Sequence, residues 1–501
     1  MHGLGLKALG ALMLLAATLL PAAAADLQRG RALYEGQLPL QAARATMPST
    51  GCVACHRPSG MGNFEGGIAV PPIAGPMLFQ PLDRDTSHFF KASARWRVRP
   101  AYDEAALGLL LRTGVTPDGI ALPHTMPRYE LDAADLADLT AYLRSLSAAM
   151  PPGLEADSMR IATISTPDAD PERRDAMLTT LERFVAQKNG QTRHEATRSV
   201  YAQRTHEMAM YRKFRVWQLE HWALHGPPDT WGAQLDAWQA QRPVYAVVAG
   251  AGGAHWAPVD AFCARQHLPC LLPLVPVGAE QPNFYSLHFH AGIDADARLA
   301  ARTLKGRHVQ RVALWSDAPA LTARVREVLA GEGLSVGDGD AQAVVSLLDP
   351  VEQARRMPGE RRPVAWLAGT HGLGARELAA ALPAGARGWI ITPMRTGEAL
   401  DRQLQRARIW LHGQALDGLP LDVVASTLQA ATVLGEGLAH VDFGFTPEYL
   451  LELLEHGLEN VVPWSPFPRL AIGPDQRIAS KGSWIGEARD GRLSWQWAAS
   501  P

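Results

Sequence analysis

Two cysteines and a histidine within five consecutive residues near the N-terminus constrain this chain more than any other feature. Residues 52–56 are Cys-Val-Ala-Cys-His. Two thiols at this spacing can bond to the two vinyl groups of one porphyrin, and the histidine that follows lies under its iron. A redox CxxC pair or half of a zinc site is disfavoured, because neither a second CxxC nor a βαβ pattern accompanies the motif. We therefore predict one covalently attached haem c, anchored by Cys52 and Cys55, with His56 as an iron ligand.

The first 25 residues have the pattern of a cleavable secretory signal. Lys7 precedes an apolar run over residues 8–20, and Pro21 and an alanine-rich stretch ending at Ala25 follow it. The run is shorter than the roughly 20 residues that a membrane span needs, and we expect no membrane span after cleavage. We predict a signal peptide over residues 1–25, with an uncleaved N-terminal anchor as the alternative. Export and this mode of haem attachment together indicate a periplasmic protein.

A second iron ligand is expected from a proline-flanked loop. Residues 122–129 are Leu-Pro-His-Thr-Met-Pro-Arg-Tyr. Because prolines restrict the backbone on both sides of Met126, the loop can hold a thioether against the iron at little entropic cost. We predict Met126 as the second axial ligand. The alternatives are His124, Met77 and Met61, of which Met61 is disfavoured because it follows the haem-attachment motif too closely to reach the opposite face.

Two helices are expected to close this domain. Asp132, with Asp135 three residues later, is typical of a helix start, and leucines recur at helical spacing up to Leu146. A partner helix is predicted in residues 27–34. The side chains expected to pack between the two helices from that segment are Leu27, Leu33 and Tyr34.

Residues 26–148 resemble a class I cytochrome c. The resemblance rests on the early CxxCH motif, the Met-Pro-x-Tyr loop that begins at Met126, and a terminal helix that ends in Tyr142-Leu143. It implies an all-α domain over residues 26–148, with His56 and Met126 as the axial pair of the haem iron. Methionine opposite histidine tends to raise the iron potential, which suits an electron carrier.

Three short segments of this domain make the resemblance more specific. They are Leu-Arg-Thr-Gly at 111–114, Pro-Asp-Gly at 117–119 and Met-Pro-Arg-Tyr at 126–129. These segments are especially similar to cytochrome modules that accept electrons from periplasmic quinoprotein alcohol dehydrogenases. The resemblance implies such a dehydrogenase as the electron donor and a terminal oxidase or a downstream cytochrome as the acceptor.

The remaining length is enough for a second, larger domain. The chain has 501 residues, of which the cytochrome region is about a quarter. A formal net charge of −2 gives no reason to expect a nucleic acid or an acidic membrane surface as a partner. Pro151-Pro152-Gly153 ends the last cytochrome helix, so we predict a linker over residues 149–157 and a further domain over residues 158–501.

Short apolar strands alternate with helical stretches through residues 158–501. Strands are predicted at residues 159–164, 244–249, 270–275, 312–315, 343–348, 364–367 and 389–391. Helices are predicted at residues 294–304, 318–330, 375–382 and 397–411. This alternation favours parallel sheets covered by helices on both faces. Roughly ten strands exceed one comfortable sheet, so we expect two α/β lobes side by side.

Residues 158–501 resemble the type I periplasmic binding proteins of the branched-chain amino acid class, in which two α/β lobes close over a small ligand. The segments that carry the resemblance are residues 244–253, 284–289 and 473–477. Residues 211–238 depart from it, because they are rich in tryptophan and histidine and do not resemble the second βα unit of that family. The resemblance implies a small-molecule ligand for this domain.

Two groups of residues in this domain are candidate binding groups. Residues 250–254 end a strand and open a helix, so their backbone N–H groups can hold a carboxylate or a phosphate, with a simple tight turn as the equal alternative. His255 is expected to be a helix-start residue. His288, His290 and His371 suggest a metal, but the pattern is more typical of pocket lining or surface.

Cys263 and Cys270 are the remaining cysteines. In an oxidising compartment two nearby thiols without a haem favour a disulfide, here between the end of a helix and the start of a strand. Two buried free thiols are the alternative.

The expected function is single-electron transfer in the periplasm, linked to a quinoprotein (PQQ) alcohol dehydrogenase pathway, with a C-terminal domain that binds a small molecule. The alternative is a solute-binding component of an ABC-type transporter with an accessory haem domain. A haem enzyme such as a peroxidase needs an open iron position, which Met126 would fill. We expect no enzymatic activity, since no Ser-His-Asp, paired-carboxylate or metal-hydrolase pattern stands out in residues 158–501.

Overall fold

The computed structural model of the protein divides into two compact units. It describes residues 25–39, 51–65, 68–81, 99–147, 149–202, 215–278, 283–370, 387–441, 444–489 and 492–499. The first unit holds the described residues up to Leu146 apart from Arg57–Met61, and the second holds Arg57–Met61 and the described residues from Ser147 onward. Residues 1–24 of the predicted signal peptide lie outside the described part. No helix among the described residues is long and apolar enough to cross a lipid bilayer.

The first unit is mainly helical, as predicted. Its helices are α1 (Leu27–Tyr34), α2 (Val53–His56), α3 (Gly75–Leu78), α4 (Glu104–Thr113) and α5 (Ala133–Ser145). Two short strands, β1 (Asn63–Glu65) and β2 (Ile68–Val70), pair antiparallel. The predicted start of α5 is confirmed, because the Asp132 side chain accepts the backbone N–H of Asp135 at 2.8 Å.

Helices α1 and α5 cross at Gly30. A Cβ atom on this residue would lie 2.1 Å from the carbonyl oxygen of Asp138, so the close approach of the two backbones requires glycine. Leu33 and Tyr34 are buried at this contact, and the rings of Tyr34 and Tyr142 lie 5.4 Å apart. The predicted packing of the two helices is confirmed, except that Leu27 is 51% exposed.

The second unit begins with a five-stranded parallel sheet. Its strands are β3 (Ser158–Ser165), β4 (Val216–Ala223), β5 (Ala246–Val248), β6 (Cys270–Leu271) and β7 (Ser286–Leu287), in the order β4-β3-β5-β6-β7. The helices between them are α6 (Pro171–Ala202), α7 (Trp231–Gln241) and α8 (Ala257–Gln266). Strand β3 pairs with β4 along its whole length, from Ser158↔Val216 to Ser165↔Ala223. Strand β4 and helix α7 form a βα unit, which includes residues 216–238 of the stretch whose sequence departs from the resemblance.

A second, seven-stranded sheet forms the other lobe of this unit. Its strands are β8 (Arg311–Trp315), β9 (Ser335–Val336), β10 (Ala343–Ser346), β11 (Val364–Leu367), β12 (Arg387–Thr392), β13 (Gly482–Arg489) and β14 (Arg492–Ala499), in the order β14-β13-β12-β11-β10-β8-β9. Pairing is parallel from β9 to β12, whereas β13 and β14 are antiparallel. The helices are α9 (Ile293–Lys305), α10 (Pro319–Gly331), α11 (Pro350–Arg356) and α12 (Gly397–Gly413). The predicted two-lobed α/β architecture is confirmed.

Two late helices return to the first sheet. They are α13 (Leu421–Ala439) and α14 (Pro447–Gly457), and short 3₁₀ turns lie at Pro228–Thr230, Ala368–Thr370 and Leu458–Asn460. Helix α13 packs against α6, and its Val423 and Leu434 join the apolar cluster of β3. A second apolar cluster includes Ile164 of the first sheet and Val345 of the second. The two lobes are therefore joined by a shared core.

Candidate functional site

The two cysteines of the CxxCH motif lie on one turn of backbone. The N–H of His56 donates to the carbonyl of Cys52 at 2.8 Å, and the N–H of Cys55 donates to the same oxygen at 3.2 Å. Cys52 is half-buried and Cys55 is exposed, and both are free thiols. Burial raises the pKa of the Cys52 thiol to about 12, so before modification it is neutral. Both sulfurs are available for thioether bonds.

The imidazole of His56 is buried and oriented by the backbone. Its Nδ1 donates to the carbonyl oxygen of Pro71 at 2.9 Å, since a carbonyl can only accept. Burial lowers the pKa of His56 to about 4 in spite of this hydrogen bond, so the ring is neutral at pH 7. A neutral imidazole that donates through Nδ1 has a lone pair on Nε2 that could bind a metal.

Met126 lies in a loop that is held at both ends. Its side chain is half-buried and packs against an apolar cluster that also contacts Cys52. The N–H of Met126 donates to the carbonyl of Pro123 at 3.2 Å. The guanidinium of Arg128 donates to the carbonyl oxygens of Met126 and, at 2.9 Å, Leu122. These hydrogen bonds hold the backbone around Met126 in place.

Two short segments, residues 111–114 and 126–129, contact each other at Gly114 and Tyr129. Gly114 ends α4 with a φ of 76°, and a Cβ there would lie 2.0 Å from the guanidinium of Arg128. The N–H of Tyr129 donates to the carbonyl of Leu111 at 2.8 Å. Tyr129 is buried, and burial, with a smaller effect of the two motif thiols, raises its pKa to about 12. Residues 111–114 thus support the Met126 loop directly.

The four candidates for the second axial position differ in their surroundings. His124 is exposed, Met77 is half-buried in α3, and Met61 is buried in the second unit. Met126 is the one of these four side chains that packs with the cluster touching Cys52. Two free thiols, a neutral imidazole with an available Nε2, and a thioether on the same cluster fit a c-type haem.

The second unit contains a cavity at the carboxyl ends of its strands. The cavity has a volume of about 520 Å³ and is lined by loops that follow β3, β5 and β6 in one sheet and β8, β10, β11 and β12 in the other. Parallel α/β sheets bind ligands at this edge, and the volume lies within the range of small-molecule pockets, about 300–1,000 Å³. Polar side chains of the wall include Asp168, Arg173, His290, Asp317, Asp349 and Asp422.

The turn at residues 250–254, a predicted anion site, is occupied by a carboxylate of the chain itself. The N–H of Ala254 donates to Asp168 Oδ2 at 2.9 Å, and the N–H of Gly253 donates to Oδ1 at 3.3 Å. The His255 ring nitrogen Nδ1 lies 3.1 Å from Oδ2. Although burial raises the pKa of Asp168, these and other hydrogen bonds lower it overall, so the carboxylate is ionised at neutral pH.

The other charged groups of the cavity wall are mostly acidic. Arg173 is paired with Asp422 at 2.8 Å. Asp170 accepts the N–H of Arg173 at 2.9 Å at the start of α6, and Asp349 accepts two amides at the start of α11. Asp317 is exposed. The described wall residues therefore include five aspartates and one arginine, which is neutralised by its partner.

The histidines of the second unit have separate roles. His288 is buried, and its Nε2 lies 3.1 Å from Asp260 Oδ1, a carboxylate partner that the sequence did not predict. His290 lines the cavity, as predicted, and its Nδ1 accepts the N–H of Gly292 at 2.9 Å. Burial lowers the pKa of His290 to about 4, with a smaller contribution from His288. His371 lies outside the described residues, among which no group of three or more metal-binding side chains is found.

Cys263 and Cys270 form the predicted disulfide. It joins α8 to β6, with a Cα–Cα distance of 6.2 Å. The alternative of two buried free thiols is wrong.

Several residues of the cavity wall were not predicted from the sequence. Three of them lie within three residues after the last residue of a strand: Asp168, Asp317 and Asp349. A search for acidic residues just after the predicted strands could therefore have found them. Asp422 and Phe467 come from a helix and a loop far along the chain and carry no such signal.

Comparison with known proteins supports a cytochrome in the first unit. The cytochrome c family model matches residues 40–147, which confirms the predicted cytochrome c domain and implies haem. No curated protein matches the chain in sequence.

Solved structures that match the chain include substrate-binding proteins of ABC transporters. A fatty acid ABC transporter substrate-binding protein from Thermomonospora curvata has 12% identity and a TM-score of 0.46, over 70% of this chain and 95% of that one. A leucine-binding protein from Thermotoga maritima has 12% identity and a TM-score of 0.41, over 68% and 99%. A substrate-binding protein from Desulfitobacterium hafniense in complex with Leu has 13% identity and a TM-score of 0.43, over 68% and 100%.

Proposed function

We propose that this protein is a periplasmic c-type cytochrome that transfers single electrons, with one haem c bonded to Cys52 and Cys55 and ligated by His56 and Met126. The observation that carries the proposal is the buried His56 imidazole, whose Nδ1 donates to Pro71 at 2.9 Å. This contact presents Nε2 for coordination beside two free thiols.

The chain prepares the site for this chemistry with its own residues. A bound haem c supplies a centre that exchanges one electron. His56 is held in one tautomer by Pro71, and Arg128 ties down the loop that carries Met126. A thioether and an imidazole as the two ligands would raise the reduction potential of the iron and so favour its reduced state. His56 and Met126 would hold the haem iron from its two sides and would leave no open position for a substrate, so we propose no catalytic activity.

We propose a quinoprotein (PQQ) alcohol dehydrogenase as the electron donor and a terminal oxidase or a downstream cytochrome as the acceptor. The similarity of residues 111–114, 117–119 and 126–129 to modules of that pathway supports the donor. The predicted signal peptide and the Cys263–Cys270 disulfide support the periplasmic location, since disulfides persist in oxidising compartments.

We further propose that the second unit binds a small molecule in the 520 Å³ cavity at its strand ends. The same cavity also suits the second candidate function, a solute-binding component of an ABC-type transporter. The two functions differ in the partner, so a genetic neighbourhood with a quinoprotein dehydrogenase favours the first, whereas permease and ATPase genes favour the second.

The axial ligands are tested with the holoprotein and two variants. Met126→Ala should lose the charge-transfer absorption of sulfur-ligated ferric iron and lower the reduction potential. His124→Ala, the matched control on the same loop, should keep both. Loss of the absorption in His124→Ala but not in Met126→Ala would make the assignment of Met126 wrong. Haem that acidified acetone extracts from the parent protein would refute covalent attachment.

The electron donor is tested by mixing the oxidised holoprotein with a quinoprotein alcohol dehydrogenase and its alcohol. We expect haem reduction within the turnover time of the dehydrogenase, and none when the alcohol is omitted. Reduction no faster than that of an unrelated cytochrome c of similar potential would refute the proposed donor.

A further inference from the structure

Most of the charged side chains on the wall of the second-unit cavity are negative. Aspartates approach it from both lobes: Asp168 and Asp170 follow β3, Asp317 follows β8, and Asp349 follows β10. Asp422 comes from α13 and is paired with Arg173, which leaves the other four carboxylates without an arginine partner on the described part of the wall. Carboxylates that converge on one cavity produce a negative potential, which low-dielectric walls strengthen.

Groups that could bind an anion are already engaged within the chain. The backbone amides of Gly253 and Ala254 donate to Asp168. Arg173 is paired with Asp422 at 2.8 Å. His290 lines the cavity in its neutral form, because burial lowers its pKa to about 4. Among the described wall residues, no cation is left to compensate a negative ligand, and a buried uncompensated charge is costly.

Apart from Ser426, most of the other side chains of the wall are apolar. The rings of Phe289 and Phe467 stack with their centres 4.9 Å apart, and Leu274 and Val275 follow β6. The described residues hold no group of three or more side chains that could bind a metal ion. The cavity thus offers carboxylates for a positive charge and apolar surface for a hydrocarbon body.

We propose that this cavity binds a small organic cation, an alkyl or aryl amine, and rejects carboxylates. The proposal rests on the proposed ligand-binding function of the second unit and specifies the ligand class. Electrostatic attraction stabilises the ammonium group, and the apolar wall removes the attached carbon chain or ring from water.

The test compares three probes that share a phenyl ring and a short alkyl chain but differ in charge. Calorimetric titration of the holoprotein at pH 7 with 2-phenylethylamine, 2-phenylethanol and phenylacetate should give binding of the amine at least tenfold tighter than that of the alcohol, and no detectable binding of phenylacetate. Pentylamine, pentanol and pentanoate should follow the same order. Phenylacetate or the alcohol binding as tightly as the amine would overturn the proposed cation class while leaving the binding function intact.

If none of the six probes binds, the proposal that the cavity binds alkyl or aryl amines fails. A broader thermal-shift screen of neutral and charged metabolites then tests the binding function separately. A stabilising neutral or anionic metabolite retains the binding function without the cation class. No stabilisation by any compound counts against both.

Two variants test the role of the carboxylates. Asp317→Asn removes an exposed charge at the cavity and should weaken amine binding by about threefold. Asp338→Asn, an equal charge change at an exposed residue outside the cavity wall, should leave it unchanged. Equal effects of the two variants would contradict a local electrostatic contribution.

Asp168→Ala provides a test by gain of binding. It frees the amides of Gly253 and Ala254 and removes one negative charge, so phenylacetate should now bind measurably and the amine more weakly. Thermal unfolding establishes that the variant is folded. A folded variant that still excludes phenylacetate and binds the amine as before would show that Asp168 does not set the ligand charge.

Discussion

Replacing Asp296 with asparagine should stabilise the second unit at alkaline pH far more than at acidic pH. Asp296 lies on α9 and is 2% exposed. Its Oδ1 accepts a hydrogen bond from Ser483 at 2.6 Å, and burial raises its pKa to about 7 in spite of this bond. Asparagine keeps an oxygen for Ser483 but never has to ionise in this apolar position.

The magnitude follows from the difference between the folded and unfolded pKa values. In the unfolded chain the Asp296 carboxyl releases its proton near pH 3.8, whereas in the folded protein it keeps the proton up to about pH 7. The folded state binds more protons between these values, so the free energy of unfolding falls as the pH rises through this window. At about 1.4 kcal/mol per pKa unit, the loss is about 4 kcal/mol in total and about 3 kcal/mol between pH 5 and pH 8.

The assay is urea unfolding followed by tryptophan fluorescence at pH 5 and pH 8, since Trp366 and Trp389 are buried in the second unit. We expect Asp296→Asn to gain about 3 kcal/mol more over the parent at pH 8 than at pH 5. The control is Asp294→Asn on the same helix as Asp296, which removes a 2.7 Å ion pair with Arg324 of α10 and should have a similar effect at both pH values. An equal pH dependence in the parent and Asp296→Asn would refute the argument.

Two further predictions concern the packing of α1 against α5 and the disulfide. Gly30→Ala should lower the free energy of unfolding of the first unit by about 1–3 kcal/mol, because its Cβ would meet the Asp138 carbonyl. Unfolding of this unit is followed by haem absorbance. An unchanged midpoint of unfolding would contradict this close contact. The control Gly190→Ala, where a Cβ meets nothing within 4 Å, should not destabilise the protein. Replacing Cys263 and Cys270 together by serine should cost the second unit about 2 kcal/mol in urea unfolding, and reduction of the parent should reproduce that loss if the bond is the cause.

Features that depend on residues close together in the chain could be predicted from the sequence. Strand β11 is found at Val364–Leu367, the predicted range, because a short apolar run that begins after Pro363 and ends shortly before Gly369 leaves few alternatives. The α5 start at Asp132 was predictable for the same reason, since an N-cap acts on amides two or three residues away. The Cys263–Cys270 pairing was also local, across a separation of seven residues.

The strands at sheet edges were harder to predict. Strand β4 lies at the edge of its sheet, and its two buried side chains, Trp217 and Trp222, lie on opposite faces among exposed or partly exposed residues. It therefore lacks the continuous apolar run of a central parallel strand. The β13–β14 hairpin is also at an edge, and its antiparallel pairing depends on a neighbour, β12, that lies almost a hundred residues earlier.

We could predict the haem-attachment motif, the candidate axial ligands and the alternation of strands and helices from the sequence, because each depends on residues close together in the chain. The fold, in contrast, places Asp168 in the turn at residues 250–254 and pairs Arg173 with Asp422, 249 positions away. The charge of a cavity is the sum over groups that the fold brings together, and their pairing depends on distances in space that no local pattern contains.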